Sequence, residues 1–224
     1  MASSAFPAVL VGLFIGLGLW IIDRRFAPAF AESAGFDRKD VRSGPGLAAY
    51  LVGSPAIAYA LLSVRSNLGS ALIYQAIVVA ILLWVASIDW RWRIIPNRIV
   101  YPSTLAAIVL SPLAQTGPLL HAVSASLIGL GVSGGVFLLF FLLSILIYRR
   151  AGAFGAGDVK LAGFVGAALG YPSAVAAVFI ATFAGAIFAV AWGVIHRSRK
   201  AGFPYGPAIV AGAIVALLVY SVGR

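Results

Sequence analysis

Residues 122–160 read AVSASLIGLGVSGGVFLLFFLLSILIYRRAGAFGAGDVK. The first part, 122–148, carries no charge and exceeds the ~20 apolar residues that a helix needs to cross a bilayer. Arg149 and Arg150 close it, and after a short link come Gly155, Ala156, Gly157, Asp158, Val159 and Lys160, directly before another apolar run. An acid at the start of a membrane helix is costly, by roughly 2.5–3.5 kcal/mol at the bilayer centre and less near the interface. The two glycines beside it remove side-chain bulk where another backbone approaches, and they admit φ/ψ values that other residues avoid. A membrane helix is followed here by a carboxylate that has a reason to be present.

The same pattern recurs along the chain. Of 224 residues, 62% are hydrophobic and 10% are charged. The mean hydropathy is +1.05, well beyond an ordinary soluble domain. Further apolar runs lie at 6–22 and at about 46–64, 70–88, 99–114, 159–171, 173–195 and 206–222. With 122–148 they predict an all-α polytopic bundle of about eight transmembrane spans, of which 99–114 and 159–171 are short and suited to tilting or to enclosure by neighbours. The first run has no Lys or Arg before it and is followed by Asp23, Arg24 and Arg25, the reverse of a secretory signal. It reads as a retained helix with its N-terminus outside, leading into a polar loop over 23–45. Cysteine is absent, which removes disulfides, thiolate zinc sites and a cysteine nucleophile. With His121 and His196 as the two histidines, and few acids, no metal or cofactor is expected.

Loop parity can be checked against charge. An external N-terminus puts loops 23–45, 89–98, 149–160 and 196–205 in the cytoplasm. Fourteen of the sixteen basic residues fall there: Arg24, Arg25, Arg38, Lys39 and Arg42; Arg91, Arg93 and Arg98; Arg149, Arg150 and Lys160; Arg197, Arg199 and Lys200. Arg65 and Arg224 are left outside. This is the positive-inside asymmetry of a membrane protein, and it accounts for the net charge of +10 without a nucleic-acid partner. Trp84, Trp90, Trp92, Tyr101, Tyr148 and Tyr205 lie near span ends and read as headgroup-level anchors. Small-residue spacings, Gly12 with Gly16 and Gly163 with Gly166 and Gly170, read as close helix packing.

Six acids occur in the chain, and Asp23, Glu32, Asp37 and Asp40 belong to the first loop by this reading. Asp89 and Asp158 stand alone at cytoplasmic span ends. Brought together, two carboxylates share a proton, because the first charge raises the pKa of the second. The ionised member then takes a proton from water while the protonated member polarises a scissile carbonyl. The plain alternative for each is a helix cap or an interfacial ion pair with Arg91, Arg93 or Lys160. For Pro96 and Asn97 the alternative is a turn, and for Pro207 it is a first-turn helix proline.

These residues resemble those of the prepilin peptidases, membrane aspartic proteases of the Gly-x-Gly-Asp class. The family's Gly-x-Gly-Asp-x-Lys stretch is matched by Gly155, Gly157, Asp158 and Lys160. Its other aspartate ends a transmembrane helix before a basic segment and Ile-Pro-Asn, matched by Asp89, Arg91, Arg93, Ile95, Pro96 and Asn97. Its Pro-aromatic-Gly-Pro turn is matched by Pro204, Tyr205, Gly206 and Pro207. The resemblance implies a six-helix peptidase domain over 70–224, preceded by an N-terminal helix pair and its basic loop over 1–69. It implies catalysis by Asp89 and Asp158 without a cofactor. The implied substrate is a prepilin or pseudopilin, whose basic leader is removed at the cytoplasmic face of the bacterial inner membrane. The cysteine-bearing insertion of larger members is missing, which puts their N-methyltransferase activity in question. Three other functions fit parts of the pattern: a transporter using the two aspartates as an ion relay, a non-catalytic assembly factor of the same fold, and a protease cutting within membrane helices.

Overall fold

The computed structural model describes residues 2–33, 35, 45–65, 70–114, 117–148, 155–196 and 204–220. In lipid every backbone amide and carbonyl needs a partner within the chain, so the apolar runs become helices. They are α1 (Ala2–Ser33), α2 (Pro45–Arg65), α3 (Ser70–Trp92), α4 (Asn97–Leu110, extended by a 3₁₀ turn over Ser111–Leu113), α5 (Leu119–Tyr148), α6 (Ala156–Leu169), α7 (Ser173–His196) and α8 (Gly206–Val219). No strand occurs among the described residues. Gly46–Ser63, Ser70–Trp92, Leu119–Ile147 and Ser173–Val194 are long and apolar enough to cross a membrane. The protein is a helical, multi-pass membrane protein. The runs 99–114 and 159–171 correspond to α4 and α6, each 14 residues long. Arg38, Lys39, Arg42, Arg149, Arg150, Arg197, Arg199, Lys200 and Arg224 lie outside the described residues, as do Asp37 and Asp40 and the side chains of Arg65, Tyr148 and His196.

The helices fall into two units, Met1–Pro96 and Asn97–Arg224. In the first, α1 lies along α2 through its glycines. A Cβ on Gly12 would stand 2.9 Å from the Pro55 carbonyl oxygen, and one on Gly16 would stand 2.7 Å from Val52 Cα. The small-residue reading holds there. The first helix does not end at residue 22, however. It runs on to Ser33, because the residues expected to open a polar loop continue a buried stripe at helical spacing: Gly12, Gly16, Leu19, Asp23, Ala27 and Ala31. Asp23 is 1% exposed, and its place in that stripe is made tolerable by partners on α3. Arg24 meanwhile turns outward over the Trp20 ring, 4.7 Å from its centroid.

In the second unit α6 is the hub, packing against α4, α5, α7 and α8. Every residue from Leu161 to Gly170 is buried. Its crossing with α5 is tight enough that a Cβ on Gly166 would lie 2.6 Å from the Gly129 carbonyl carbon. Across the same crossing Ser126 Oγ donates to the Ala167 carbonyl at 2.6 Å. Gly170, at φ 67°, ends α6 in a backbone region that glycine enters without steric cost. The next amide, Tyr171 N–H, donates to the Ala125 carbonyl of α5 at 2.9 Å. Of the glycines read as packing residues, Gly166 has that role, whereas a Cβ on Gly163 would meet open space.

Candidate active site

The last turn of α3 carries Asp89, which is 4% exposed. Its carbonyl accepts the Arg93 amide at 2.8 Å, and Arg93 takes φ 55°, unusual for a residue with a side chain. That left-handed step ends the helix, and Pro96 disfavours helical backbone at the residue before it, Ile95. The motif between Asp89 and Asn97 is therefore a helix stop followed by a short link into α4.

Arg91, two residues past Asp89, points into the first unit. Its Nη2 is 2.6 Å from Asp23 Oδ1 and its Nη1 is 3.1 Å from Oδ2. Arg91 Nε donates to the Ser87 carbonyl at 2.9 Å, and the guanidinium lies over the Trp92 ring, 4.2 Å from its centroid. Trp84 Nε1 adds a 3.0 Å hydrogen bond to Asp23 Oδ1, and Phe30 meets the Trp84 ring edge-on at 6.2 Å. Trp84 is thus a partner of a buried carboxylate and Trp92 is buried under an arginine; neither is the headgroup anchor expected of it. Trp90 and Tyr101 are exposed, as that role requires.

Asp158 occupies the third position of α6 and is 8% exposed. Its Oδ2 accepts the Gly155 amide at 2.9 Å, while its own amide donates to the Gly155 carbonyl at 3.0 Å. This reciprocal cap puts a carboxylate at the positive end of the helix dipole, where negative charge is favoured. The structure supplies the cap that was the plain alternative for this residue. It also corrects the conformational argument for the glycines: Gly155 sits at φ −93°, ordinary extended backbone, and Gly157 lies in the first helical turn. A Cβ on Gly155 would be 3.4 Å from Asp158 Oδ2, an ordinary contact, so what glycine leaves there is bare backbone.

Lys160 Nζ donates to Asn97 Oδ1 at 3.0 Å and lies 5.3 Å from the centroid of the Tyr101 ring. Asn97 and Lys160, 63 residues apart, thereby tie the start of α4 to the N-terminal part of α6. The third motif reaches the same end of α6. Pro204, Tyr205 and Gly206 are buried, and Pro207 stands in the first turn of α8, its expected alternative. Tyr205 is buried rather than interfacial: its ring meets Phe137 edge-on at 5.9 Å and fills the space left by Gly185, and its hydroxyl donates to the Ala181 carbonyl at 3.3 Å. Burial first, and then the nearby Asp158 charge, push the Tyr205 phenol up to about 12.

Gly155, Asp158, Lys160, Asn97 and Tyr205 are gathered within the second unit. Asp89 belongs to the first unit, with Arg91 and Asp23. Asp23 reads in the sequence as one loop acid among four, and the structure makes it a buried partner of α3. Its signal was the 3–4 spacing with Gly16, Leu19, Ala27 and Ala31.

Fold and site define a multi-pass helical membrane protein with carboxylates buried at two helix ends. The chain belongs to the type IV leader peptidase family, whose model matches residues 76–190. It is similar to the prepilin leader peptidase/N-methyltransferase of Bacillus subtilis (strain 168), with 30% identity over 164 residues, 71% of this chain. The match spans 61% of that relative's length. No solved structure matches the chain.

Proposed function

We propose that the chain is an aspartic endopeptidase that removes the basic leader of a prepilin or pseudopilin at the cytoplasmic face of the inner membrane. The observation that carries this is that the family match, 76–190, includes two acids buried at helix ends, Asp89 and Asp158. In the reaction one carboxylate, ionised, takes a proton from water as the water oxygen attacks the scissile carbonyl carbon. The other, protonated, donates to the carbonyl oxygen, and the tetrahedral intermediate collapses as the leaving amine receives a proton. The bare Gly155 backbone leaves room for an extended leader beside Asp158. Lys160, fixed by Asn97, lies two residues beyond Asp158 on α6 and faces α4 on another side of the helix. The cytoplasmic assignment rests on the basic loops and the positive-inside rule. Residues 70–224 make the peptidase core, with α1 and α2 as its N-terminal pair.

The test is shortening of a prepilin with a basic leader by protein purified in detergent or lipid. Asp89→Asn and Asp158→Asn should each abolish cleavage, whereas a chelator leaves the wild-type rate unchanged. Asn at 158 keeps an oxygen that accepts the Gly155 amide, so the α6 cap survives the change. Retained cleavage by either variant removes the dyad, and uptake of ions into vesicles that depends on both aspartates would favour a relay instead.

A further inference from the structure

The Asp23 and Arg91 pair lies outside the chemistry so far described, yet it grips the helix turn that carries Asp89. Residues 84, 87 and 91 follow one another at 3- and 4-residue spacing and form a single stripe on α3. That stripe is the one engaged with Asp23: Trp84 through Nε1, Arg91 through both terminal nitrogens, and Ser87 by accepting from Arg91. At about 100° per residue, Asp89 lies roughly 170° around the helix from the centre of that stripe. Docking the stripe on α1 therefore fixes which way Asp89 is presented, on the side of α3 away from α1.

The contact has the features of a setting device. Asp23 is 2% exposed in its side chain and Arg91 is 17%. The planar fork of arginine against a carboxylate fixes rotation as well as distance, which a lysine would not do. Asp23 uses both oxygens, and Oδ1 accepts a second donor from Trp84. The turn so held is the one that ends at Arg93 in a left-handed conformation, so its alternatives are few. A buried ion pair adds little net stability compared with an apolar contact, and its best-attested use is to fix register.

We infer that Asp23, acting through Arg91, is a positioning residue for Asp89, and that α1 is a working part of the peptidase although the family match begins at residue 76. The inference rests on the catalytic reading of Asp89. Its test compares kcat and KM for prepilin cleavage with thermal unfolding in detergent. Asp23→Asn and Arg91→Lys are expected to lower kcat about tenfold or more with KM nearly unchanged, since a misplacement of about 1 Å costs catalysis before binding. Trp84→Phe, which removes one donor and leaves the ring, should lower kcat by a smaller factor. The exchange variant Asp23→Arg with Arg91→Asp should recover much of the lost kcat. Arg24→Ala, one residue along on the exposed side of α1, should match wild type. Folded Asp23→Asn protein with wild-type kcat, or an exchange variant that recovers thermal stability but no kcat, overturns the positioning role. Cleavage by Asp89→Asn would instead overturn the dyad reading and this inference with it.

Discussion

Asp158 combines a structural bond with its proposed chemical role, and substitution separates them. Its Oδ2 accepts the Gly155 amide at the start of α6, a bond that asparagine keeps and alanine loses. Asp158→Ala should lower stability by about 1 kcal/mol relative to Asp158→Asn, while both are inactive. Differential scanning in detergent together with the cleavage assay reads the two effects apart. Tyr205 gives a second residue-scale test. Its phenol is raised from 10.0 to about 12, so the folded protein holds that proton more tightly than the unfolded chain. The associated stability is complete below pH 10 and is lost as pH rises through about 12. Tyr205→Phe should cost about 1 kcal/mol near neutrality for the lost hydrogen bond, and it should flatten the loss of stability above pH 10. A pH series of thermal midpoints checks both limbs.

At the scale of elements, the α5–α6 crossing depends on missing side chains. Adding a methyl at Gly166 would bring a Cβ within 2.7 Å of Ser133 Cβ as well as against the Gly129 backbone, and backbone on one side cannot step aside. Gly166→Ala should therefore destabilise by about 1–3 kcal/mol, against little change for Gly163→Ala, whose Cβ meets open space. Thermal melts of the pair decide it. The sequence announced these helices well, because apolar runs bounded by charge have few alternatives in a bilayer. Helix ends were less legible. The cluster of charge near residue 23 is the pattern of a loop along the chain, whereas α1 continues because one of those charges finds a buried partner on α3. The aromatic residues failed for the same reason: Trp84, Trp92 and Tyr205 sit where headgroup anchors sit, and only tertiary partners distinguish them. The three motifs were readable at once, and Asn97 meeting Lys160 is a contact that motif order alone did not announce.

For the whole molecule, orientation in the membrane is the assignment with the widest consequences, and the chain is convenient for testing it. It has no cysteine, so a single introduced thiol is an unambiguous reporter. Lys39→Cys and Arg150→Cys should react with a membrane-impermeant maleimide only after the bilayer is opened, while Arg65→Cys should react in intact cells. The opposite pattern would place the basic loops outside and remove the cytoplasmic site. The bond between Asp23 and Arg91 bears on descent as well as on geometry. Two positions 68 residues apart, on helices of which one lies beyond the family match, share a single electrostatic condition. In homologous lineages these positions should change together, acid with base or both to neutral residues. The history of α1 would then be written in a residue of α3.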